Sequence, residues 1–173
     1  MGCACKDIVF GKVGRSLRSV WGEGGDPSST SIPMPTSALT GGEVLSPLLT
    51  FDCATNHKGE SGRVVSAVVI ETADAEDPSL NLDLDLVLVD TVFVPGTVGS
   101  ALTLPAVTTI LGVIPIRSWT QLDTENAIAT VEASVDFRAV EGSTEIYGVI
   151  VNRDAGTFDT GAVLRVKLNI VRD

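Results

Sequence analysis

Leu80-Asn81-Leu82-Asp83-Leu84-Asp85-Leu86-Val87-Leu88-Val89-Asp90 places five leucines at every second position. That period of two is the pleat of a β-strand and not the 3.6-residue turn of a helix. Between the leucines, Asn81, Asp83 and Asp85 give way to Val87 and Val89. The strand therefore begins with one wet face and ends apolar on both. A single small sheet cannot cover that second face, so the pattern requires another layer: the partner sheet of a sandwich, an N-terminal arm or a neighbouring subunit. The Asp83 and Asp85 end is expected to be solvated. Val87 and Val89 are expected to lie beneath the cover, close to a subunit contact.

From Glu43 onward the sequence reads as strand after strand. Residues 44–51 come first, interrupted by Pro47, which suits an edge or a strand start. The polar turn 55–62 leads into Arg63-Val64-Val65-Ser66-Ala67-Val68-Val69-Ile70, rich in β-branched residues. Residues 73–78 connect to the leucine strand, which closes at Pro95-Gly96. Within 102–111 a short helix is expected to begin at Pro105, a favoured first helical position. Strands resume at 112–119, 128–137, 145–151 and 163–171. In the last, Leu164, Val166, Leu168 and Ile170 share one face, and Arg165, Lys167 and Asn169 the other. Short strands at this spacing, without a long helical pattern or an internal repeat, predict an antiparallel all-β sandwich or jelly roll of about seven to eight strands.

Residues 1–42 have a different texture. Lys6, Lys12, Arg15 and Arg18 are followed by a stretch rich in Gly, Ser and Pro over 22–35, where proline removes donors and glycine raises the cost of ordering. Two units follow: an N-terminal arm over 1–42 that binds a partner, and a β-sandwich over 43–173. Ile8, Val9, Phe10, Val20 and Trp21 are the apolar patches of the arm that would dock on a partner, joined by Val87 and Val89 of the leucine strand.

A chain of 173 residues buries roughly 70% of its unfolded surface, enough for a core without metal or disulfide staples. Twelve basic against twenty-two acidic residues give a formal charge of -10, which argues against nucleic acid or an anionic membrane as partner and suits a basic protein surface. Residues 1–7 lack the apolar core of a secretory signal, so synthesis in a cytoplasm is expected. Cys3, Cys5 and Cys53 form an odd set, which does not describe a disulfide framework.

Nor is catalytic chemistry legible. His57 is the only histidine and sits in a polar turn, with no Gly-x-Ser-x-Gly elbow to accompany it. Gly22-Glu23-Gly24-Gly25 does not join a strand to a helix and is no phosphate cradle. Cys3 and Cys5 are half of a thiolate metal site without the other half. Asp74, Glu76, Asp77, Asp83 and Asp85 have neither the spacing nor the glycine of a calcium loop. No catalytic, cofactor or metal residue is assigned, and the chain is not expected to be an enzyme.

Leu48-Leu49-Thr50-Phe51, Asn56-His57-Lys58-Gly59-Glu60-Ser61-Gly62-Arg63-Val64-Val65-Ser66-Ala67, Leu84-Asp85-Leu86-Val87-Leu88-Val89-Asp90 and Leu111-Gly112-Val113-Ile114-Pro115-Ile116 follow in an order that resembles a family of head decoration, or cement, proteins of tailed bacteriophages. The resemblance covers residues 48–117. It implies a sandwich or jelly roll that sits on the capsid lattice as an oligomer, often a trimer, and carries no catalytic residues. The partners it implies are the major capsid protein and further copies of the chain in a homotrimer on the virion surface. The N-terminal segment departs from the family pattern in its length and its Pro and Gly content. The competing expectation is a carbohydrate- or receptor-binding β-sandwich module of a fibre or tail, with an acidic loop and Trp119 or Trp21 as the contact.

Overall fold

The computed structural model describes residues 16–24, 32–72, 83–158 and 161–172. They fold as two antiparallel sheets packed face to face, with no helix among the described residues. The described residues form eleven strands: β1 (Ser16–Trp21), β2 (Glu23–Gly24), β3 (Ile32–Pro33), β4 (Leu49–Phe51), β5 (Ser61–Thr72), β6 (Leu84–Val89), β7 (Ile110–Ile116), β8 (Thr120–Gln121), β9 (Asn126–Arg138), β10 (Ile146–Asn152) and β11 (Val163–Arg172). One sheet runs β1-β11-β5-β9-β8, with β3 also pairing β11; the other runs β2-β4-β10-β6-β7.

Setting aside the two-residue pieces β2, β3 and β8 leaves eight principal strands. In chain order, the first sheet then holds the first, eighth, third and sixth, and the second sheet the second, seventh, fourth and fifth. This alternation between sheets is the double Greek key of a jelly roll. The strand order thus selects the jelly roll from the two architectures expected.

The main core fills the space between the sheets. Leu84, Leu86 and Leu88 of β6 meet Leu164, Val166, Leu168 and Ile170 of β11 in one cluster with Phe51, Ile114, Ile116, Ile146 and Ile150. In β5 the inward positions change parity: Gly62 and Val64 are buried before Val65, and Ala67, Val69 and Glu71 after it. A bulge there breaks the register with both neighbours, between Val64 and Ser66 against β9 and between Asn169 and Ile170 against β11. One extra residue lets a twelve-residue strand keep apolar groups inward while the sheet twists.

The Phe51 ring sets the contact between β1, β4 and β10. A Cβ on Gly22 would lie 2.8 Å from its Cε1, and one on Gly148 3.0 Å from its Cε2. Both glycines therefore leave room for one aromatic ring. Gly22 stands where the chain steps from β1 in one sheet to β2 in the other.

Two expectations need correction. Residues 1–42 are not set apart from the sandwich where they are described: β1 and β3 pair with β11, and Val20, Ile32, Met34 and Leu39 belong to the main core. The helix expected at Pro105 is a turn, in which the Thr108 amide donates to the Pro105 carbonyl at 3.0 Å. Its neighbours Val107, Thr108, Thr109 and Ile110 are β-branched and disfavour a helix. Cys53 is disulfide-bonded, a bridge that the odd cysteine count left open.

At the other edge, β7 lies over β9 with Gly112 facing Val135, whose two methyl carbons would stand 2.8 and 2.9 Å from an added Cβ. Gly112→Ala is expected to cost about 1 to 3 kcal/mol by overpacking. Val135→Ala should recover a large part of that loss when combined with it, and chemical denaturation of the two single variants and the double variant measures the coupling. Strictly additive losses would show that this contact does not limit the approach of β7 to β9.

Candidate interaction surface

Every residue of β6 and β10 is buried. Their inward positions are covered by the first sheet, but their outward positions, Asp85, Val87, Val89, Tyr147, Val149 and Val151, need a cover of their own. The chain supplies it as a third layer. Val44 and Phe93 complete a second buried cluster with the outward valines and Tyr147, and Leu48, Leu102 and Leu104 pack against it. The loop between β6 and β7 forms most of this layer. Its two limbs are tied at one end by Asp90 and Thr109, the Asp90 amide donating to the Thr109 carbonyl at 3.2 Å and the Thr109 amide to Asp90 Oδ1 at 2.9 Å. The Thr103 amide reaches the Pro95 carbonyl at 3.4 Å. The tip is joined to the other covering segment, with the Val44 amide donating to the Ser100 carbonyl at 2.8 Å and the Gly99 amide to the Val44 carbonyl at 2.9 Å.

The cover over Val87 and Val89, 4% and 0% exposed, is thus the chain's own loop rather than an arm or a neighbour. Both side chains lie beneath that loop, so they do not form a free docking surface. Ile8, Val9 and Phe10 lie outside the described residues. Val20 is in the main core. Among the described contacts, Trp21 alone shows much surface, on the outer face of the first sheet, where the Lys167 ammonium stands 5.8 Å from its ring centroid. Trp119 is half-buried against the main core.

Asp85 is also corrected. Instead of meeting solvent it is buried, and its carboxylate accepts from Arg117 Nη2 at 2.8 Å and from Arg153 Nε at 2.6 Å. Arg117 Nε also pairs with Asp83 at 3.2 Å. A carboxylate on the covered face needs such partners to offset its lost hydration. The acidic start of the leucine strand is therefore an ionic clamp between β6, the segment after β7 and the end of β10. Among the described residues, no three His, Cys, Asp or Glu side chains gather as a metal site. Asp74, Glu76 and Asp77 fall outside those residues.

Two wide-mouthed concavities adjoin at Arg138, of about 690 Å³ beside Lys58, Asp90 and Glu141 and about 420 Å³ beside Arg63 and Asp136. Both arginines already have partners: Arg138 Nε donates to the Gly59 carbonyl at 2.9 Å, and Arg63 Nε to Asp136 Oδ1 at 2.5 Å. That pairing holds the Asp136 carboxyl below the usual carboxylate range. His57 is exposed in the adjacent turn.

The outer side of the third layer is more distinctive. Val92, Val94 and Val107 point to solvent from the loop, and Ile110 and Val113 from β7, the free edge of its sheet. The 26 residues 91–116 contain no Asp, Glu, Lys or Arg. That gap was legible in the sequence as the longest charge-free run of an acidic chain, a signal that strand periodicity alone passes over. No protein-family model and no curated protein matches the sequence.

Tyr147 reports on the third layer. Burial, and then the hydrogen bond that its hydroxyl donates to Glu145 Oε2 at 2.6 Å, push its pKa up to about 12. The folded state holds this proton more tightly than the unfolded chain, whose tyrosine titrates near about 10. The stabilising contribution is complete below about pH 10 and is lost as pH rises towards 12. As this is the only tyrosine, phenolate absorbance should show one native titration well above that of the denatured protein. Equal midpoints in a chain still folded by circular dichroism would contradict burial of Tyr147 under the cover.

Proposed function

We propose that this chain is a structural virion protein that decorates and stabilises a bacteriophage capsid, binding major capsid subunits and its own copies as a homotrimer. The observation that carries this reading is the third layer. A jelly roll whose inner and covered faces are already satisfied still displays a charge-free apolar surface, of the kind that marks protein interaction sites. The segments that resemble decoration proteins, 48–117, include β4 to β7 and thus the covering loop itself. The acidic remainder of the chain, with its formal charge of -10, suits a basic patch on the capsid.

In this reading the protein acts by binding alone. It requires no cofactor, contacts neither nucleic acid nor membrane, and moves from the host cytoplasm to the capsid surface. Stabilisation follows from mass action, since a protein that binds only the assembled lattice favours that lattice. Mass spectrometry of purified particles should find the chain in a fixed ratio to the major capsid protein. Particles stripped of it should rebind the purified protein and resist heat better afterwards. Absence from particles, or failure to rebind, would overturn the proposal.

A further inference from the structure

We infer that the face formed by the loop 91–109 and the edge strand β7 is the surface through which copies of this chain meet one another, an inference that rests on the reading of the chain as a self-associating decoration protein. Electrostatics selects the occupant. Each copy carries a formal charge of -10, and like-charged copies repel wherever carboxylates would face each other. On the charge-free run 91–116 two copies meet with no such groups to desolvate or oppose.

Geometry agrees with the charge. Val94 and Val107 are 83% and 84% exposed, and Val92, Ile110 and Val113 are also open to solvent. Val92 and Val107 lie on the two limbs of one excursion closed by the Asp90 and Thr109 hydrogen bonds, and Ile110 follows directly in β7. The outer edge of β7 also presents backbone groups that pair with no described strand. Pro115 interrupts that edge by removing a donor, so side-chain packing, rather than an extended intermolecular ladder, joins the copies. A basic patch on a capsid subunit finds no carboxylate on this face and is better matched by the acidic remainder of the chain.

Sedimentation velocity of the full chain across the micromolar range tests the inference, comparing the wild type with a Val94→Asp, Val107→Asp double variant and with Leu17→Asp on β1 as control. Both altered valines point to solvent, and circular dichroism checks that the fold is kept. The wild type should form a concentration-dependent oligomer, which the double variant weakens by about 100-fold or more and the control leaves unchanged. A wild type that stays monomeric, or a double variant that assembles like the wild type, overturns the inference. Rebinding to stripped particles separates the two failures. A double variant that keeps self-association but loses particle binding assigns the face to the capsid subunit and refutes the inference while sparing the decoration reading. Loss of wild-type binding to particles refutes the decoration reading itself.

Discussion

Two-sided burial of β6 and β10 is the constraint on which the rest of the molecule depends. A strand with Leu84, Leu86 and Leu88 on one side and Val87 and Val89 on the other cannot rest in a two-layer sandwich with one face in water. The chain therefore sends out a loop and a strand-like approach segment to close that face, and the third layer places Phe93, Leu102 and Leu104 beneath it. A layer so thin has a second side. Its outward residues, Val92, Val94 and Val107, are apolar as well, and they give an otherwise acidic protein its uncharged surface.

The same constraint explains the polar residues around that layer. Pro47 cannot donate to a ladder, so the chain follows β10 through a substitute: the Leu45 amide donates to the Ile150 carbonyl at 2.8 Å, and the Ser46 hydroxyl accepts from the Ile150 amide at 2.9 Å. Asp85 shares the face of Val87 and is held by two arginines rather than by water. Ser46 and Asp85 thus exchange hydration for defined partners, as close packing around a twice-covered sheet requires.

Much of the architecture is written in periodicity. The alternation in Leu164, Val166, Leu168 and Ile170, and the change from aspartate to valine in the leucine strand, place the core and call for a cover through residue pattern alone. What periodicity does not give is the source of the cover. Whether Phe93 and Leu102 fold back, or a neighbour comes in, depends on tertiary contacts that no local pattern encodes. Arg117 and Arg153 lie 32 and 68 residues from Asp85, so the solvation expected of Asp85 reversed for the same reason. Glycine and proline between 22 and 35 read as an arm, yet Gly22 is small because Phe51 needs its space. Among the candidate contacts, Trp21 keeps an open face on the first sheet. The loop valines escape a reading of strands because their signal is the absence of charge.

Hydrogen exchange read by mass spectrometry, on dilute and on concentrated protein, tests the two-sided burial and its outward consequence most directly. The amides of β6 and β10 should exchange slowest at every concentration. Peptides spanning 91–113 should gain protection as the concentration rises, while those of β1 should not. Fast exchange in β6, or concentration-dependent protection on β1 with none on 91–113, would contradict this picture of the molecule.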